Sequence, residues 1–106
     1  MYRKNTENYT GSVQKMKHKY AVLLTAHGNI DYGQNPYSEI AESKVAYGNT
    51  LEELQIHVRQ YIAYNALGSG QYTGGKVYEV STGALMGYIS YNGRFWEPKE
   101  MDAIMN

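Results

Sequence analysis

The sequence predicts an α+β domain in which one helix packs on an antiparallel sheet of four to five strands, in the order β-β-α-β-β. One helix signal, beginning at Thr50, lies between two groups of short segments rich in β-branched and aromatic residues. The pair Asn92-Gly93, typical of a tight β-hairpin, follows one of these segments. At 106 residues, the chain has the length of one such domain.

Residues 1–19 are interpreted as a basic arm without fixed structure, and residues 20–106 as the domain. The arm is polar and carries net charge +4, because a single acidic residue, Glu7, accompanies its five basic ones. The formal charge of the whole chain is zero, so the remaining residues carry −4. A basic arm on an acidic body fits a solvated leader, and alternatively a contact with nucleic acid.

The first half of the domain is predicted as two strands joined by a long loop. Residues 20–26 form a short apolar and β-branched run that is typical of a buried strand. Residues 27–37 are dense in Gly, Asn, Asp and Pro, which favour turns, and a loop of this length is often functional. Residues 39–47 form the second predicted strand.

The helix is predicted over residues 51–67. Thr50 and Glu53 match a capping box, in which each side chain accepts from the other residue's backbone N–H. Gly68 is predicted to end the helix in a left-handed conformation. Ile56 lies opposite the apolar stripe and indicates a homodimer. The stripe itself, at helical spacing, contains Leu51, Leu54, Val58, Tyr61, Ile62 and Asn65.

The C-terminal part is predicted as three strands. Residues 76–80 and 84–91 form the first two, and a type I′ turn at Asn92-Gly93 leads into the short strand Arg94–Trp96. The glycine-rich segment 68–75 is not a phosphate-binding loop, because it follows the helix and lacks Gly-Lys-Ser or Gly-Lys-Thr.

The residues carry no catalytic signature, so we expect a non-enzymatic binding protein without a metal or other cofactor. The chain contains no cysteine, and its three histidines lack the spacing of a helical zinc site. His27 and Asp31, both in the long loop, are the one pair that we consider as acid and base. A small enzyme or ligand binder at this pair therefore stays an alternative.

Exposed aromatic residues predict a contact surface, and two kinds of partner fit it. Tyr, Trp and Arg carry much of the energy of protein interfaces. For a protein partner, the candidate residues are Tyr32, Tyr37, Tyr88, Tyr91, Arg94 and Trp96. For a nucleic acid, bases would stack on the sheet while cations contact phosphates. The candidate cations are Arg3, Lys4, Lys15, Lys17, Lys19 and Arg94. Alternatively, Phe95 and Trp96 close the edge of the core.

A family resemblance covers residues 20–97. It rests on the order of four segments, KYAVLLT, NTLEEL, GGKVYEV and MGYISYNGRFW. This order resembles a class of small phage and mobile-element proteins, some of which are anti-CRISPR inhibitors. The resemblance implies an inhibitor that occludes a CRISPR effector, or another host defence complex, in the host cytoplasm. No apolar run approaches the length of a membrane span, so we expect no membrane partner.

Overall fold

The computed structural model describes residues 18–100, and the predicted α+β class is confirmed there. One α-helix packs on an antiparallel sheet of five strands. A short 3₁₀ turn, Ile30–Tyr32, lies in the long loop. The main elements are β1 (Tyr20–Leu24), β2 (Lys44–Gly48), α1 (Leu51–Tyr64), β3 (Lys76–Glu79), β4 (Leu85–Ile89) and β5 (Phe95–Trp96).

The sheet has the strand order β2-β1-β3-β4-β5, and all neighbouring strands are antiparallel. β1 is the strand on which the register of the first half depends. Val22 lies opposite Ala46 of β2 on one side and Val77 of β3 on the other. β2 and β5 are the two edges of the sheet.

The core lies between α1 and one face of the sheet. α1 packs on β1 and β2 with Leu54, Val58 and Tyr61, all members of the predicted stripe. Burial of such apolar side chains contributes about 1.5–3 kcal/mol each. The sheet contributes Val22, Leu24, Val77 and Ile89, and Ala26, Leu67 and Tyr72 complete the core.

The start of α1 confirms the predicted cap and corrects one of its bonds. The Thr50 hydroxyl accepts from the Glu53 N–H at 3.2 Å, as predicted. The Glu53 carboxylate, however, accepts from the N–H of Asn49 at 2.8 Å and not from that of Thr50. The pair still satisfies two backbone N–H groups at the helix start.

The end of α1 differs from the prediction. The helix ends at Tyr64, and Ala66, with φ 52°, is the residue in the left-handed conformation. The Leu67 N–H donates to the Ile62 carbonyl at 3.0 Å, and the Ala66 N–H donates to Ala63. These two bonds form a Schellman motif, which ends the helix before Gly68.

β2 begins at Lys44, whereas the sequence predicted a strand from Glu39. An isolated bridge pairs His27 with Glu39, while Leu24 pairs with Lys44. An advance of three residues from Leu24 to His27 therefore corresponds to five residues on the other strand, from Lys44 back to Glu39. The two extra residues interrupt the ladder between Glu39 and Lys44.

The last hairpin forms where it was predicted, but its turn is not type I′. That type requires positive φ at both central residues, and only Gly93 has it, with φ 86°. The Gly93 N–H donates to the Ser90 carbonyl, and the Ser90 N–H donates to the Arg94 carbonyl. This is a three-residue loop with glycine at its left-handed position. The Asn92 side chain accepts from the Arg94 N–H at 3.1 Å, which stabilises it.

Candidate functional site

The sheet face opposite α1, here called the open face, carries no helix among the described residues. Side chains alternate along a strand, and the even-numbered Val22 and Leu24 of β1 are buried beneath α1. The odd-numbered residues of β1 and their cross-strand partners therefore lie on the open face. This set contains Ala21, Leu23, Val45, Tyr47, Lys76, Tyr78, Tyr88 and Trp96.

The strand register places the aromatic side chains of the open face in two rows. Lys76 lies opposite Tyr88, and Tyr88 lies opposite Trp96. In the next row, Ala21 lies between Tyr47 and Tyr78. Directly opposed side chains have Cβ atoms about 4.5–5.5 Å apart, so Tyr88 and Trp96 are neighbours, whereas Ala21 separates Tyr47 from Tyr78. The open face therefore carries one half-buried aromatic ring on each of β2, β3, β4 and β5, and these four rings are here called the aromatic platform.

Arg94 stacks on Trp96 at one end of this platform. Its guanidinium carbon lies 3.8 Å from the centre of the Trp96 ring. The Trp96 Nε1–H donates to the Ser90 hydroxyl at 3.1 Å, which fixes the indole in place. The outer face of the guanidinium plane extends the aromatic platform and adds a positive charge to it.

The open face carries positive but no negative side chains on its strands. Among its strand residues none is acidic, and Lys76 and the neighbouring Arg94 are cations. Glu79 lies opposite Tyr20 and so belongs to the α1 face. The Tyr88 phenol is neutral at physiological pH, and burial raises its pKa further above the ordinary value of 10. An anionic ligand would therefore meet no carboxylate repulsion from the strands.

Hydrogen-bonded hydroxyl groups lie at the end of β1 nearest the long loop. Thr25 Oγ1 and Thr73 Oγ1 are 2.8 Å apart, and His27 Nδ1 is 2.7 Å from Thr73 Oγ1. The Asp31 N–H is bound by the Asn29 side chain, and no hydrogen bond within residues 18–100 joins His27 to Asp31. The suggested acid and base are therefore not joined by a hydrogen bond in this part of the chain.

The residues predicted to contact a partner separate into three groups. Tyr88, Arg94 and Trp96 lie together on the open face. Tyr32 and Tyr37 lie in the long loop, and both are exposed. Tyr91 lies on the α1 side, where its hydroxyl donates to the Leu67 carbonyl at 3.0 Å.

Of the predicted arm cations, only Lys19 falls among the described residues. Its ammonium lies 5.5 Å from the centre of the Tyr20 ring. The other four, Arg3, Lys4, Lys15 and Lys17, lie outside residues 18–100.

Sequence reasoning missed three members of the open face, Tyr47, Tyr78 and Lys76. Alternation along each strand shows that Lys76 and Tyr78 share a face. It does not show which face is covered, nor that Tyr47 of β2 lies in the same row as Tyr78. Both facts depend on the register of β1 between β2 and β3.

The long loop is held by its own side chains. The Asn29 and Asn35 carboxamides accept from the N–H groups two residues ahead, at 2.9 and 3.0 Å. Gln34 Oε1 accepts from the Asn29 N–H and from Gln71 Nε2–H. These bonds fix the loop against the segment after α1 and leave Tyr37 90% exposed.

The described residues provide neither a metal cluster nor a membrane-spanning helix. Within residues 18–100, no group of three or more His, Asp or Glu side chains is arranged to hold a metal ion. In the same range, no helix combines the length and the hydropathy that crossing a bilayer requires.

Comparisons with known proteins leave the resemblance to anti-CRISPR inhibitors as a prediction. No protein-family model matches the chain, and no curated protein or solved structure is significantly similar to it.

Proposed function

We propose that this protein binds single-stranded nucleic acid, without chemistry, through the open face. The observation that carries the proposal is the platform of Tyr47, Tyr78, Tyr88 and Trp96, free of carboxylates and extended by Arg94. Bases stack on aromatic rings and on guanidinium planes, and cations contact the phosphates between them. The basic arm, immediately before β1 in the sequence, adds positive charge.

An open sheet suits a single strand better than a duplex. Stacking requires an exposed face of a base, which a base pair inside a double helix does not offer. Stacking also tolerates any base, so the proposed binding has little sequence preference. Its phosphate contacts make the affinity sensitive to salt.

The test is fluorescence anisotropy with labelled single-stranded RNA and DNA and the matching duplexes, at about 50 and 200 mM salt. Y88A should weaken single-strand binding by about 1–3 kcal/mol, because one stacking platform is removed. Y64A is the matched control, since Tyr64 is 89% exposed on α1 and away from the open face. R94A should also weaken binding, whereas K99A, which removes the same charge elsewhere, should have little effect.

Equal affinities of Y88A and Y64A would contradict the proposal, provided that thermal denaturation shows both variants to be folded. Binding that does not weaken between the two salt concentrations would contradict it as well, since phosphate contacts release counterions.

The long loop suggests a second candidate function. In this alternative, the protein acts in the cytosol and occludes a protein complex such as a CRISPR effector. Tyr32 and Tyr37 are exposed at the surface of an ordered loop, and ordered aromatic residues reduce the entropy cost of binding. This candidate predicts that Y32A/Y37A leaves the affinity for nucleic acid unchanged and abolishes inhibition of the complex.

A further inference from the structure

An apolar cavity of about 410 Å³ lies beside the first turn of α1. Leu85, one of its lining residues, is 41% exposed, and the others on the sheet and on α1 are half-buried. A contiguous apolar surface of this kind is stabilised when another apolar group covers it. Apart from Glu97, the lining side chains are apolar or aromatic, and they are Tyr20, Leu51, Leu85, Met86, Phe95 and Pro98.

The cavity lies where α1 does not fully cover the sheet. α1 packs on β1 and β2, whereas β4 and β5 lie beyond β3 in the strand order. Phe95 of β5 lies opposite the buried Ile89, so its side chain belongs to the α1 side of the sheet. The α1 side of β4 and β5 therefore keeps an apolar surface beside the helix.

A helical turn begins at this cavity, directly after β5. Residues 98–100 are α-helical, and Pro98 occupies the first position, where a missing N–H costs no hydrogen bond. The Glu97 N–H donates to the Glu100 carboxylate at 2.8 Å, and the Glu100 N–H donates to the Glu97 carbonyl at 2.9 Å. The first of these bonds is one half of a capping box, which is typical of a helix start.

The sequence after this turn carries an apolar stripe at helical spacing. Residues 101–106, Met-Asp-Ala-Ile-Met-Asn, lie outside the part of the chain that the structure describes. Met101 and Met105 follow Pro98 by three and seven positions, and Ile104 lies beside them on the same stripe. Because Pro98 lines the cavity, the helix face that begins there is the apolar one. Three polar side chains fall on the opposite face, those of Lys99, Asp102 and Asn106.

We propose that residues 101–106 cover this cavity and pack Met101, Ile104 and Met105 against its apolar lining. Met101 is three residues beyond Pro98, which is about 4.5 Å along a helix, so the connection is short enough for the contact. The short connection also gives the segment a high effective concentration at the cavity. Two of the three side chains are methionines, which adapt to irregular gaps. The proposal does not depend on the function of the open face.

The first test is thermal denaturation of the full chain with aspartate at two neighbouring positions. I104D places a carboxylate on the apolar stripe and should lower the Tm by about 8–15 °C, because the burial of an isoleucine is lost. A103D is the matched control, since it adds the same charge away from the stripe. A103D loses more helix propensity than I104D does, yet it should lower the Tm by no more than about 5 °C.

The second test observes the contact in the wild-type chain, so it does not depend on a variant that must fold. Methionine ε-methyl groups are labelled with carbon-13, and their nuclear Overhauser effects are recorded. Phe95 is the only phenylalanine of the chain, so its ring signals are unambiguous. Cross-peaks from the ε-methyl groups of Met101 and Met105 to the Phe95 ring are expected, with M101L and M105L assigning the two methyl signals.

Three outcomes would overturn the proposal. The first is an equal fall in Tm for I104D and A103D. The second is the absence of cross-peaks from both Met101 and Met105 to the Phe95 ring in the wild type. The third is a dimer in sedimentation that I104D dissociates, because the segment would then cover a second copy of the chain.

Discussion

Tyrosines of this protein act in two ways, depending on whether the hydroxyl or the ring makes the contact. The buried Tyr72 donates to the Ile89 carbonyl at 3.2 Å, and Tyr61 donates to Glu42. Both hydroxyls join distant parts of the chain. On the open face, Tyr88 and Tyr78 instead lie opposite Lys76 and Ala21, and their rings are what the proposed function uses. Ten of the twelve tyrosines lie in residues 20–106, so they can supply both core and contact surface.

The buried tyrosines predict a loss of stability at high pH. Burial raises the pKa of Tyr72 well above its ordinary value of 10, and neighbouring Tyr88 and Tyr61 add to the effect. The pKa values of Tyr61 and Tyr88 are raised as well, again mainly by burial. The unfolded chain therefore releases these protons first, so stability is complete below about pH 10 and falls above it.

Y72F tests this prediction by urea unfolding at pH 8 and near pH 11. At pH 8 the variant should lose about 1 kcal/mol, since the Ile89 carbonyl loses its donor. Its further loss on going to the higher pH should be smaller than that of the wild type. Equal losses in the two proteins would show that Tyr72 does not carry the alkaline instability.

Among the secondary-structure elements, α1 offers the sharpest test of backbone strain. Ala66 is left-handed, with φ 52°, a conformation that costs a residue with a Cβ about 1–2 kcal/mol. Glycine avoids this cost but has more freedom to lose on folding. A66G should therefore raise the free energy of unfolding by about 0.5–1 kcal/mol.

The control for A66G is A63G, in the last turn of α1, where the backbone is helical. Glycine there should lower the free energy of unfolding by about 0.5–1 kcal/mol, measured by the same urea titration. A destabilised A66G would mean that Ala66 is not left-handed in solution.

The elements could be predicted from sequence to different extents because they depend on different interactions. The start of α1 depends on Thr50 and Glu53, which are close in sequence, so it was predicted correctly. The last hairpin was predicted from Asn92-Gly93, but its turn type was wrong because Asn92 uses its side chain to bind Arg94. The start of β2 depends on two extra residues opposite β1, and such a mismatch is not visible along one strand.

The candidate site was predicted in part for the same reason. Tyr88, Arg94 and Trp96 lie within nine residues of one another, and their hairpin brings them together. Tyr47 joins them only through β1, which lies between β2 and β3 in the sheet. Tyr32 and Tyr37 lie in the long loop, as the sequence predicted, and whether they share a contact surface with the other candidates stays a prediction.

In the whole molecule, the two faces of the sheet differ in whether a helix covers them. α1 covers one face and supplies the core, while the other face remains available for stacking. β2 forms one edge of the sheet, and a cavity of about 510 Å³ lies between it and α1. The homodimer stays a prediction, for which the motivating observation is that Ile56 on α1 is 50% exposed. Sedimentation can test it.

The most direct test of the account uses Trp96, the only tryptophan of the chain, as an intrinsic reporter on the open face. Its fluorescence is followed during titration with a ten-nucleotide single-stranded RNA at about 50 and 200 mM salt. Stacking predicts saturable quenching that weakens at the higher salt and is much smaller with the matching duplex. Unchanged Trp96 fluorescence at an RNA concentration that saturates anisotropy would contradict the account, because the bases would then bind away from the open face.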